Sequence, residues 1–217
     1  GDLGGLVVAL LLAGAGVVYR RDPLAVFGVR LDALEKTPWF LCLWAWIGVF
    51  TVNRLVRVAT GGLPGWGLNK GYGADGHSVE LNPSGAFQML GRLGFRKVAT
   101  LGFFFTGLQT FWEEVLFRGL IVEGLRGIGG FHVAIVGSAI LFGLLHSVPM
   151  WSLSQDRGWG RRALTGYTFL MPFSCGLIFA KLNNYSSSIL PGWFVHWGVN
   201  YASLLWNRVF LVRGRYL

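Results

Sequence analysis

Glu113 and Glu114 stand side by side in an otherwise apolar stretch, and Arg118 follows four residues after the second. Further along, His146 closes the run Phe142-Gly-Leu-Leu-His146, and His196 and Asn200 lie four apart in His196-Trp-Gly-Val-Asn200. Residues four apart share a helix face. Glu114 is therefore expected to pair with Arg118, and His196 to point the same way as Asn200. Glu113 is turned about 100° from its neighbour and needs a different partner. An ionisable side chain at mid-membrane costs about 2.5–3.5 kcal/mol, so three unpaired ones would cost roughly 8–10 kcal/mol. They must face the interior of a bundle or a wet cavity. Gathered in one place, a carboxylate, two imidazoles and an amide are a hydrolytic set: a base, its helper and donors for an oxyanion.

The elements that must position these groups are transmembrane helices. Of 217 residues 53% are hydrophobic and only 13% charged, with a mean hydropathy of +0.52. A soluble domain carries about 25% charged residues, so a soluble enzyme, a disordered tail and a collagen-like fibre are all disfavoured. Six apolar segments stand out, at about 3–19, 38–59, 98–123, 131–149, 163–181 and 188–212. Most reach the ~20 residues that cross a hydrocarbon core. The fold expected is all-α, a polytopic transmembrane helical bundle of about six spans. Residues 1–97 form an N-terminal membrane region of two spans and a polar loop, and 98–217 the catalytic membrane core. Segment 3–19 reads as a span or signal-anchor, since no cleavage site followed by a polar domain succeeds it. Pro38 suits a helix start. Gly124, Gly127, Gly129 and Gly130 mark one turn, and Asn183 with Asn184 another. Residues 60–83 read as a glycine-rich loop. From Ser84, Phe87, Leu90 and Leu93 recur at helical spacing beside Arg92, Arg96 and Lys97, which suits an interfacial helix.

The chain is basic, with 19 Lys+Arg against 10 Asp+Glu. Cations flanking spans hold a membrane protein against anionic lipid, so the bilayer rather than nucleic acid is the partner expected. Twelve cations fall with the N-terminus, loops 60–97 and 150–162 and the C-terminus, and six on the other side. The positive-inside rule makes the first side cytoplasmic, termini included. Cys42 and Cys175 lie in apolar runs and read as small buried hydrophobes. His77, in the loop, and His132, at a span start, are not expected in the site. Trp39, Trp66, Trp151, Trp159 and Trp193 suit an interfacial belt. Trp112 and Trp197 adjoin the polar blocks and serve either a cavity wall or core packing.

The blocks Glu113-Glu114-Val-Leu-Phe-Arg118, Phe142-Gly-Leu-Leu-His146 and His196-Trp-Gly-Val-Asn200 resemble the EExxxR, FxxxH and HxxxN blocks of the CPBP intramembrane proteases. That family includes the type II CAAX prenyl endopeptidases and bacteriocin-processing relatives. The resemblance covers about residues 98–212. It implies peptide-bond hydrolysis by water inside a helical bundle, on a membrane-associated peptide or protein. Carried over by position, Glu113 and His146 activate the water, His196 and Asn200 stabilise the oxyanion, and Glu114 and Arg118 support the site. No cofactor is expected. The alternative is a zinc ion on Glu113, His146 and His196, a two-His, one-carboxylate set, although no HExxH helix is present. The competing function is a non-catalytic family member acting as an assembly, immunity or structural subunit of a larger membrane complex. A small transporter fits less well, because no internal repeat is visible.

Overall fold

The computed structural model describes residues 28–59, 70–72, 78–80, 93–153 and 159–213. Segment 3–19, His77 and residues 84–92 of the expected interfacial helix lie outside the described residues, while Arg96 and Lys97 fall in the first turn of the helix Phe95–Glu114. Five apolar segments become helices. α1 spans Trp39–Ala59, α2 Phe95–Glu114, α3 Val122–Leu153, α4 Trp159–Ser186 and α5 Leu190–Arg213. Pro38 precedes α1, and its carbonyl accepts from the N–H groups of Leu41 and Cys42. The loop expected at 60–83 holds a short antiparallel hairpin, β1 (Lys70–Tyr72) with β2 (Ser78–Glu80), in register Lys70 to Glu80. Two strands of three residues are too short to announce themselves by hydrophobic alternation.

α2 does not end at Glu114. The chain continues as a π-helix over Val115–Ile121 and then enters α3. In a π-helix each N–H reaches back five residues instead of four; the N–H of Val122 bonds the carbonyl of Phe117. That carbonyl also accepts from the Ser138 hydroxyl at 2.7 Å, which ties the widened segment to α3. Of the four glycines expected to form a turn here, only Gly130 breaks the helix, with φ 77° and ψ −176°. A side chain is strained at that φ, so glycine occupies the reversal point and the chain doubles back as Phe131–Leu153.

α2 packs on α5, α3 on α4, and α5 also against α1 and α4. Trp193 and Trp197 stack at 5.5 Å. Their indole N–H groups donate to the carbonyls of Gly107 and Phe103, fastening α5 to α2. Cys42 is packed with Phe179, Leu182 and Val195, as expected of a small hydrophobe. The outward faces are apolar: Phe40, Leu43, Trp44, Phe104, Phe105, Leu145 and Leu170 are all exposed. Such a surface marks contact with lipid or a partner rather than with water. Among the described residues the helical run Phe95–Ser147, which turns at Gly130, holds a stretch long and apolar enough to cross a bilayer, and Trp39–Leu55 is apolar but shorter.

Candidate active site

Among the described residues Glu114 is the most deeply buried ionisable group, with no exposed surface. Its Oε1 lies 3.2 Å from Arg118 Nη1 and 3.0 Å from His196 Nδ1, and its Oε2 accepts from Asn183 Nδ2 at 3.3 Å. The expected Glu114–Arg118 pairing is present, although the contact is not aligned as a hydrogen bond. The guanidinium lies over aromatic rings, 4.4 Å from the Phe142 centroid and 5.4 Å from that of Phe179. Desolvated cation–π contacts of this kind contribute about 2 kcal/mol.

Glu113 turns to the other side of the helix. Its Oε1 accepts from Gln109 Nε2 at 2.9 Å. Its Oε2 is buried without a hydrogen-bond partner, 3.6 Å from His196 Nε2 and 4.0 Å from His146 Nε2. His196 is therefore bracketed by the two glutamates, one at each ring nitrogen. Its ring stacks on Phe179 at 4.9 Å and meets the Phe142 ring edge-on at 5.7 Å. His146 Nδ1 lies 2.7 Å from the Phe142 carbonyl.

The tautomers follow from these partners. A carbonyl oxygen only accepts, so His146 Nδ1 carries a proton. Both oxygens of Glu114 face donors, so His196 Nδ1 is likewise protonated. In the neutral rings both Nε2 atoms then present lone pairs towards Glu113 Oε2, itself an acceptor. Three acceptors facing one another call for protons between them, from a water molecule or from protonation of an imidazole.

These groups line a cavity of about 170 Å³, which Glu113, His146, His196 and Asn200 share. Its wall is largely apolar, from Val49, Met171, Phe179 and Leu204, with Pro172 inside α4. Polar groups absent from the sequence reading also line it: Asn53, Thr106, Gln109, Tyr167, Thr168 and Ser203. Tyr167 donates to Asn53 Oδ1 at 3.3 Å, joining α4 to α1. Cys175 packs against the Cys42, Phe179, Leu182 and Val195 cluster, as expected of a small hydrophobe, and also lines this cavity. Trp112 and Trp197 do not line it; Trp112 packs on Phe111 and Trp197 on Trp193. His132 lies apart, against Phe131. Asn183, expected in a turn, is buried in the last turns of α4 and belongs to the Glu114 network; the turn is at Ser187–Ile189.

Two imidazoles and a carboxylate are a donor set that zinc accepts. As placed they do not fit it: among the described residues no three His, Cys, Asp or Glu side chains are grouped to hold an ion.

Residues 95–202 match the profile of the type II CAAX prenyl endopeptidase Rce1-like family. The chain carries an Rce1-like domain. That family consists of membrane-embedded proteases, and the matched region holds Glu113, Glu114, Arg118, His146, His196 and Asn200. The Rce1-like assignment agrees with the resemblance read from the three blocks, and it implies a membrane-associated protein as substrate. No curated protein and no solved structure matches the chain.

Proposed function

We propose that the chain is an intramembrane endopeptidase that hydrolyses a peptide bond near the membrane surface with a water activated by Glu113. The observation that carries this reading is Glu113 Oε2, buried and unpartnered in a cavity, with two imidazole Nε2 atoms 3.6 and 4.0 Å away. A water there donates one proton to Glu113 and the other to His146, leaving its lone pair for attack. As its oxygen bonds the carbonyl carbon, the first proton moves to Glu113. The oxyanion is stabilised by Asn200 and by His196, which enters the cycle already protonated at both nitrogens, donates through Nε2 while Nδ1–H stays on Glu114, and keeps both protons throughout. The C–N bond then breaks, and Glu113 returns its proton to the leaving amine. The remaining water proton passes by way of His146 Nε2 to the amine, so the products are a carboxylate and an ammonium. Glu114 and Arg118 hold His196 in place, and no step runs through a metal.

The bundle makes six passes in this reading: segment 3–19, α1, the α2–π run, α3 after Gly130, α4 and α5. The reversal at Gly130 supports it, because it divides the long helical run into two antiparallel passes. N- and C-termini then face the cytoplasm. His146 lies near the cytoplasmic end of its helix, so the scissile bond enters from that leaflet.

The test compares membrane-protein termini by mass spectrometry in the native cell carrying wild type or Glu113→Gln. New termini that vanish only in the variant are expected, and they identify the substrate. Identical termini, with the variant stable and inserted, refute the proposal.

A further inference from the structure

Helix α4 carries none of the three sequence blocks, yet it places two side chains against them. Phe179 stacks under the ring of His196, with an interplanar angle of 24°. Asn183 is four residues further on, hence on the same face. Its Nδ2 donates to Glu114 Oε2 at 3.3 Å, and its Oδ1 accepts from the N–H of Gly192 at 2.7 Å. The carboxamide cannot turn over. A flip would set Nδ2 against the Gly192 N–H and Oδ1 against a carboxylate oxygen, so both bonds would become repulsions. The carboxamide approaches α5 so closely that a Cβ on Gly192 would lie 2.5 Å from Oδ1. Gly192 is thus glycine for closeness of approach.

The geometry points to Asn183 as a positioning residue. By holding Glu114 Oε2, it leaves Oε1 as the acceptor for His196, so that Nδ1–H is given to Glu114 and Nε2 is turned to Glu113. Phe179 fixes the plane of the ring, and Asn183 fixes its rotation within that plane. The sequence Phe179-x-x-x-Asn183 supplies this from a helix that contributes no group to the reaction itself. The consequence for turnover rests on the proposed protease reading; the placement of the ring does not.

The test therefore reads the ring directly. The full chain, labelled with ¹⁵N-histidine, is reconstituted in lipid nanodiscs; with four histidines the spectrum is sparse. The Nδ1 proton of His196, bonded to a carboxylate, gives a low-field, slowly exchanging resonance, assigned by its absence in His196→Gln. Asn183→Ala is expected to speed its exchange at least tenfold. Gly192→Ala keeps every polar group yet displaces the carboxamide, and it should do the same. The double variant should be no worse than Asn183→Ala alone, because the added methyl then has nothing to strike. An unchanged His132 resonance, from a ring outside the network, reports an intact fold. Where Asn183→Ala does not fold, Asn183→Asp keeps the volume and the acceptor for Gly192, and the same loss is expected. Exchange within twofold of wild type in the folded single variants overturns the inference, as does an additive double variant. If Glu113→Gln leaves all termini unchanged while Asn183→Ala releases the His196 proton, the protease reading fails and this one stands.

Discussion

Neutralising Glu114 should cost stability before it costs anything else. Glu114 has no exposed surface and its Arg118 partner only 2% of its side chain exposed, so neither charge is solvated by water. Removing one member of such a pair leaves the other buried and uncompensated, which costs about 3–5 kcal/mol. Glu114→Gln preserves the shape and an acceptor for His196, but removes the charge together with the acceptor for Asn183 Nδ2. The rings of Phe142 and Phe179 still face Arg118 in the variant and do not offset the loss, because they are present in both forms. Against a total of about 5–15 kcal/mol for a native protein, the expected drop is a large share. Glu114→Gln/Arg118→Met removes both charges at near-constant volume and should recover most of the loss, since a buried pair is often replaceable by apolar groups at little cost. The assay is reversible denaturation in mixed micelles for wild type, both single variants and the double, read as a double-mutant cycle. A Glu114→Gln effect below about 1 kcal/mol, or single-variant effects that simply add in the double, would refute the argument that this pair is a buried, mutually dependent unit.

Glu113→Gln is expected to abolish cleavage while changing stability by about 1 kcal/mol or less, because Oε2 has no protein partner to lose and Gln109 can still donate to the remaining oxygen; denaturation beside the termini comparison checks both halves. Asn200→Ala should slow cleavage by roughly 10²–10³-fold, the usual effect of losing one oxyanion donor, measured on a peptide built from the substrate's new termini. Treatment with a chelator should leave cleavage of that peptide unchanged; loss restored by added zinc would overturn the metal-free mechanism. Gly143→Ala places a Cβ 2.9 Å from the carbonyl oxygen of Phe169, which cannot swing away as a side chain can. Its cost, about 1–3 kcal/mol as for other overpacked sites, should appear as a lowered unfolding temperature.

What could be read from the sequence depended on whether a residue type is costly where it stands. Glu113, Glu114, Arg118, His146 and His196 are conspicuous because charge and imidazole are expensive among leucines and phenylalanines. Asn183 reads as a turn former, since Asn beside Asn is an ordinary turn signal. Only the arrival of Glu114 from α2 and Gly192 from α5 makes it a buried donor and acceptor. Gln109 was overlooked although a local rule pointed to it: it precedes Glu113 by four residues and so shares its face. Asn53 and Tyr167 meet from helices 114 residues apart in sequence, and no local pattern announces that contact. The π-helix was equally invisible, because a helix of either kind reads as one apolar stretch. The apolar helices were legible for the opposite reason: their signal is composition summed over about 20 residues, which no tertiary contact has to supply.

The adjacency of the two glutamates is what lets one imidazole serve both. Neighbours on a helix diverge by about 100°, so one carboxylate can enter the core beside Arg118 and Asn183 while the other stays at the cavity. His196 enters from α5 between them, Nδ1 at 3.0 Å from Glu114 and Nε2 at 3.6 Å from Glu113. Two carboxylates placed four residues apart would stack on one face, repel each other and compete for the same nitrogen. Divergence also separates their duties. In the proposed mechanism the residue whose oxygens are all occupied sets the ring, and the residue with an unoccupied oxygen is left to take a proton. The same substitution, Glu to Gln, made at successive positions should therefore give opposite phenotypes: a stable protein that does not cleave at 113, and an unstable one at 114.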